Sequence, residues 1–201
     1  FDVRYYGQEL AAIAGTSREA VLDAMELVTV DAEPREFVVN EVDAMKADAP
    51  SVFAGQPNFG EGATKETGAV DAAFAAAAAV VEATFETPIQ IHHPMEPHAH
   101  TVRIDGDELT AWSSTQAVFG CRGAFAETMG MPQNKVRVIC EHMGGGFGSK
   151  FSPGAEGALC AQLAKASGAP VKLVLTRFEQ ALAVGNRPSS FQKIKLGGDA
   201  E

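Results

Sequence analysis

The sequence predicts an α+β fold, and three observations carry that expectation. Alternating strands flank the turn Asp105-Gly106-Asp107, from Thr101 to Ile104 and from Leu109 to Ser114. Two helical segments, Val118–Met129 and Gly157–Ser167, each stop at a glycine followed by a proline: Gly130 with Pro132, and Gly168 with Pro170. Further short apolar runs lie between and after these helices, at 135–141, 171–175 and 192–196.

The elements follow in order. Gln8 to Ala14 is a short apolar stretch that reads as a strand. Thr16-Ser17-Arg18-Glu19 fits a capping box, with the Thr16 hydroxyl and the Glu19 carboxylate serving the first amides of a helix. Leu27 to Val30 and Phe37 to Val39 read as further strands, so residues 1–55 form a small mixed unit. The glycines and prolines of 50–68 mark a linker, with 56–68 as its body. Residues 69–201 then form a second domain. It opens on an alanine-rich helix near Asp71, with strand from Val80 to Phe85.

Composition excludes several function classes. The 201 residues are 46% hydrophobic and 21% charged, as in a globular chain. Sixteen basic against 26 acidic residues give a net charge of −10, wrong for gripping phosphates or an anionic membrane. The longest apolar run, Ala72–Val81, is ten residues, about half of a membrane span. Cys121, Cys140 and Cys160 lie 19 and 20 apart, which suits neither an iron–sulfur cluster, a zinc ribbon nor a disulfide framework. They read as buried thiols and slightly favour the cytoplasm over the periplasm.

Three segments hold chemistry. Gly144-Gly145-Gly146-Phe147-Gly148-Ser149-Lys150 follows a predicted strand. Its glycines free the backbone for close approach, and successive N–H groups can form a concave anion site. It fits neither the Walker A pattern nor the dinucleotide fingerprint, and a tight strand-to-helix connection is the plain alternative. His92-His93-Pro94-Met95-Glu96-Pro97-His98-Ala99-His100 holds four of the five histidines. These are metal-ligand types without a known ligand spacing, and histidines bonded in a buried turn are the alternative. Ser113-Ser114-Thr115-Gln116 closes a strand and can present an amide into a crevice, or simply cap the next helix.

In this order, Met95-Glu96-Pro97-His98, Ser114-Thr115-Gln116 and the glycine loop resemble the molybdenum-binding subunit of the xanthine dehydrogenase/aldehyde oxidase family, most of all its bacterial aldehyde-oxidising branch. The opening Val3-Arg4-Tyr5-Tyr6-Gly7-Gln8 with Ala11-Ala12-Ile13-Ala14 resembles the end of that family's α/β hammerhead domain. The resemblance implies 1–55 as the C-terminal part of the hammerhead and 69–201 as an incomplete first molybdopterin-binding domain of β-hairpins and helices.

It also implies molybdopterin or molybdopterin cytosine dinucleotide, with the metal held through the pterin and no protein ligand. Gln116 would place its amide beside an oxygen ligand of molybdenum. Phe147 and Gly148 would lie against the cofactor, and Gly145 and Gly146 would permit the approach. The implied reaction oxidises aldehydes or N-heteroaromatics, with oxygen from water and hydride transfer to a Mo-sulfido centre. Iron–sulfur clusters of 2Fe-2S type and FAD would sit on partner domains or subunits.

One departure bears on substrate. Purine-oxidising members carry Glu directly after the loop lysine, and here that position is Phe151. An apolar side chain cannot bond a purine edge, which favours aldehydes or apolar aromatics. The family's general-base Glu matches nothing in 1–201 and is expected outside this chain. The chain reads as a fragment or one piece of a split subunit, not competent alone. The alternatives are a non-catalytic structural or assembly subunit of the same fold, and a metal protein built on the histidines of 92–100.

Overall fold

The computed structural model describes residues 1–199. Its helices are α1 (Arg18–Glu26), α2 (Glu41–Ala44), α3 (Val70–Ala76), α4 (Val118–Met129), α5 (Gly154–Ser167) and α6 (Arg177–Ala183). Its strands are β1 (Ala79–Thr87), β2 (Ala99–Asp105), β3 (Glu108–Ser113), β4 (Val136–Ile139), β5 (Val171–Val174) and β6 (Ser190–Gly198). The mixed content is that of an α+β chain.

Contacts divide the chain into two compact units. The first comprises Phe1–Val28 and Pro88–Ser189. Its sheet runs β4-β3-β2-β5, with β2 antiparallel to both β3 and β5, and β3 parallel to β4. Val102 faces Ala111, and Leu109 faces Val136. Alternate residues of β2 and β3 are buried, as the two-residue period of a strand requires. Helices α4 and α5 cover that face. Val102, Leu109, Ala111 and Val136 from the sheet pack on Cys121, Phe125 and Ala126 of α4 and on Cys160, Ala161 and Ala164 of α5. Burial pushes the Cys121 and Cys160 thiols up to about 11, so both are protonated packing groups. Gly130 and Gly168 stop the two helices in the left-handed conformation.

The second unit comprises Thr29–Thr87 with the residues from Ser190 onward. It holds α2, α3 and an antiparallel ribbon in which β1 pairs with β6, Ala83 opposite Ile194. Residues 56–68 contain no helix or strand. Among its described residues none is buried.

The hairpin, α4, β4, β5, the strand at 80–85 and the last strand form where the sequence expects them. The early strands do not. Residues 8–14, 27–30 and 37–39 have no strand, and Val30, Phe37 and Val39 are exposed. A strand exists through its ladder, and these segments have no pairing strand among the described residues. The cap of α1 is Ser17, whose hydroxyl accepts from the Ala20 amide at 3.2 Å, not Thr16. The alanine run gives helix only to Ala76, and Ala77 already has extended backbone leading into β1. Helix α6 was not expected, although Thr176 and Glu179 form a full capping box at its start.

Candidate functional site

The site lies in the first unit, where β3 ends, β4 ends and the turn before β2 begins. Beyond Ser113 the chain leaves the sheet as Ser114-Thr115-Gln116 before α4. Beyond Ile139 it runs through the glycine loop towards α5. Backbone bonds tie these segments: the Gln116 amide donates to the Lys150 carbonyl at 3.0 Å, and the Thr115 hydroxyl donates to the same oxygen at 2.9 Å.

Gln116 is gripped by its side-chain oxygen. Oε1 accepts from the Gly148 amide at 2.9 Å and from the Lys150 amide at 3.3 Å. Two N–H donors on one atom assign that atom as oxygen, so Nε2 points the other way. No described residue accepts from Nε2. Gly146 is required for this approach, because a Cβ there would lie 2.4 Å from Gln116 Oε1. Gly145 has φ +98°, a conformation that side chains rarely adopt.

Phe147, between these glycines, has φ 51° and is 71% exposed. A bulky residue in that region is held there by its surroundings, and such strain clusters at ligand sites. The Ser149 amide and hydroxyl both donate to the Gly146 carbonyl, at 3.0 and 2.8 Å, closing the loop on itself. The amides of Gly145, Gly146 and Phe147 have no acceptor among the described residues. Phe151 is also exposed, just past the loop.

Behind the loop sits an ion pair whose lysine is buried and whose glutamate is partly exposed. Lys150 is 0% exposed, and its Nζ donates to the Glu96 carbonyl at 2.9 Å and to Glu96 Oε2 at 3.2 Å. The same Oε2 accepts from the Ser114 hydroxyl at 2.8 Å and the Gly144 amide at 2.9 Å. Burial works to raise the Glu96 carboxyl. The Gly144 amide, the Ser114 hydroxyl and the Lys150 ammonium outweigh it and hold the group below its usual range. Arg177 of α6 donates to the carbonyls of Pro94 and Met95 and clamps the same turn.

His98 and His100 make hydrogen-bond contacts within the fold. His100 Nδ1 lies 2.9 Å from Ser113 Oγ, and burial pushes this ring down to about 4. His98 Nε2 lies 3.3 Å from the Ser149 carbonyl, and burial lowers it as well. Both are neutral at pH 7 and brace the loop and the sheet end. Among the described residues no three His, Cys, Asp or Glu side chains are grouped to hold a metal ion, so the run 92–100 gains no support as a metal site.

The structure thus brings together Gln116, Gly145, Gly146, Phe147 and Gly148, with Phe151 beside them. Sequence reading missed Arg177 and the joint role of Glu96, Ser114 and Lys150. Partners 54 residues apart leave no local pattern.

Residues 53–201 match the family described as molybdopterin cofactor-binding domain. The molybdenum-binding subunit of an aldehyde oxidoreductase of Escherichia coli is 39% identical over 135 residues, 67% of this chain and 18% of the relative. The large molybdopterin subunit of nicotinate dehydrogenase from Eubacterium barkeri is 33% identical over 196 residues, 97% of this chain and 46% of the relative. The solved aldehyde oxidoreductase from Desulfovibrio desulfuricans superposes with a TM-score of 0.87 at 26% identity, over 98% of this chain and 22% of its own. The chain therefore spans less than half the length of these relatives. By sequence and by fold, it belongs to the family of molybdopterin cofactor-binding domains of aldehyde oxidoreductases and xanthine dehydrogenases.

Proposed function

We propose that this chain builds one wall of the molybdenum site in an oxidoreductase that oxidises aldehydes or N-heteroaromatics. The observation that carries the proposal is the fixed Gln116 amide, with its oxygen bonded to the Gly148 and Lys150 amides and its NH₂ group unengaged.

The donor set fits such a cofactor. Gln116 Nε2 and the amides of Gly145, Gly146 and Phe147 are hydrogen-bond donors suited to oxygen ligands and to an anionic pterin phosphate. Phe147 offers an apolar ring to a flat heterocycle. Molybdopterin, or its cytosine dinucleotide, supplies the two-electron redox chemistry when bound. Gln116 orients the oxygen-bearing side of that group. The glycines allow its approach, and Phe147 keeps water from that face.

Phe151 belongs to the substrate side and favours aldehydes or apolar aromatics over purines. Residues 1–55 form the end of a hammerhead domain, 56–68 a linker, and 69–201 part of the first cofactor domain. The catalytic Glu base, the 2Fe-2S clusters and FAD belong to other domains or subunits. No helix among the described residues is long and apolar enough to cross a membrane. A cytoplasmic location is slightly favoured by the free cysteines.

The test is Gln116→Ala in the native assembly. Loss of one directed donor should lower kcat by about 100-fold while molybdenum content holds. Unchanged kcat would remove Gln116 from the site. Phe151→Glu tests the substrate side: activity on purines should rise relative to aromatic aldehydes, and an unchanged ratio would reject that assignment.

A further inference from the structure

We propose that buried Lys150 and half-buried Glu96 form a latch whose task is to fix the direction of the Gln116 side-chain amide, making Lys150 a positioning residue. That the fixed amide faces a cofactor ligand rests on the function proposed above. The latch itself rests on contacts within the chain.

Lys150 acts through three groups. Its amide donates to Gln116 Oε1, its carbonyl receives the Gln116 amide and the Thr115 hydroxyl, and its ammonium reaches back to Glu96. Glu96 in turn holds the start of the glycine loop through the Gly144 amide and the end of β3 through Ser114. The Glu96 amide also donates to the Gly144 carbonyl at 3.2 Å. The fit at that point is close: a Cβ on Gly144 would lie 2.6 Å from Glu96 Cβ. Both ends of the loop, 144 and 150, are thereby tied to one residue. The two amides that grip Gln116 lie at positions 148 and 150, next to the second tie.

A buried lysine is a costly choice if packing alone is needed, because an apolar side chain of similar length would avoid desolvating an ammonium. What the ammonium adds is direction. It bonds at once to a main-chain carbonyl and a carboxylate of a residue far away in sequence. A methionine could fill the volume but could not hold residue 150 against residue 96. Without that hold, the amides at 148 and 150 can drift, and the Gln116 side chain is free to turn its amide over.

The experiment compares Lys150→Met, Glu96→Gln and the double variant, each in the native assembly. Hydrogen exchange, read by mass spectrometry on peptides covering 144–150, needs no bound cofactor. We expect exchange there to rise about tenfold in Lys150→Met and to stay raised in the double variant, while peptides of β2, β3 and α5 change by less than about twofold. In the loaded enzyme the Mo(V) resonance signal should shift, and kcat should fall about tenfold with KM held within about twofold.

Two results would overturn the latch. One is full return of loop protection in the double variant, which would mean that only charge balance matters. The other is a rise spread evenly over the sheet and α5, the mark of a purely structural pair. Should Lys150→Met not fold, Ser114→Ala loosens the same latch without stranding a charge. It should raise exchange at 144–150 alone, and no rise would count against the proposal. Absence of molybdenum from the native assembly would refute the proposed function and leave the exchange result standing on its own.

Discussion

The two units of this chain use similar apolar residues to opposite effect. In the first, Leu109 on β3 is fully buried between β4 and the helices, and the site hangs from the ends of these same strands. In the second, Leu196 on β6 is 66% exposed, as Val81 and Phe85 of β1 are also exposed on the paired ribbon. Pairing alone does not make a core. A two-stranded ribbon satisfies one edge of each strand, whereas the four-stranded sheet carries two helices that dry one face. Loop geometry precise enough to hold a side-chain amide is found where the strand ends are anchored in such a core.

The largest effect that would break this comparison lies at the loop. Gly146→Ala should abolish the Gln116 contact and lower kcat by about 100-fold or more, since the new methyl would lie 2.4 Å from Oε1, well inside van der Waals contact. Steady-state kinetics of the assembly checks this. Activity close to wild type would show that the Gln116 grip is not what the loop is built for.

Next comes the core. Leu109→Ala should cost about 2–5 kcal/mol in denaturant unfolding, because the surrounding sheet and helices can only partly close the gap. A loss below about 1 kcal/mol would mean that the first unit is no better packed than the second.

The third effect is a pH dependence at Glu156, buried in the first turn of α5. Burial pushes its carboxyl up to about 7, with Glu9 adding to the rise against its own backbone bond. Below the ordinary carboxylate value of 4.5 both folded and unfolded states keep the proton. Between 4.5 and about 7 only the unfolded state releases it, so stability falls as pH rises through that window. Glu156→Gln removes this loss. The variant should gain on the order of 2–3 kcal/mol over wild type at pH 8 and nothing at pH 4. Melting curves across pH check it, and equal gains at both pH values would contradict the buried-acid account.

The smallest effect is at Leu196. Leu196→Ala in the 201-residue chain should change stability by no more than about 0.5 kcal/mol, as at other exposed positions. A larger loss in the same assay would show that the ribbon face is covered.

Local patterns made the first unit readable. The Asp105-Gly106 turn, the alternation of β2 and β3 and the Gly-Pro stops of α4 and α5 all lie within a few residues of the elements they specify. Apolar stretches near the N-terminus carried the same signal without a partner strand, so 8–14, 27–30 and 37–39 misled. At the site, Gln116 and the glycine loop were visible as motifs. The reason Gln116 faces as it does was not, since it depends on Lys150 meeting Glu96 across 54 positions. The capping box of α6 was there to be found, and with it Arg177, whose hold on Pro94 and Met95 completes the turn.

The central claim is that this loop and Gln116 serve a molybdenum cofactor. Elemental analysis of molybdenum, zinc and iron in the native assembly tests it most directly. The account predicts close to one molybdenum for each copy of this chain. A complete, cofactor-replete preparation without molybdenum would contradict it, and zinc in its place would turn attention back to the histidines of 92–100.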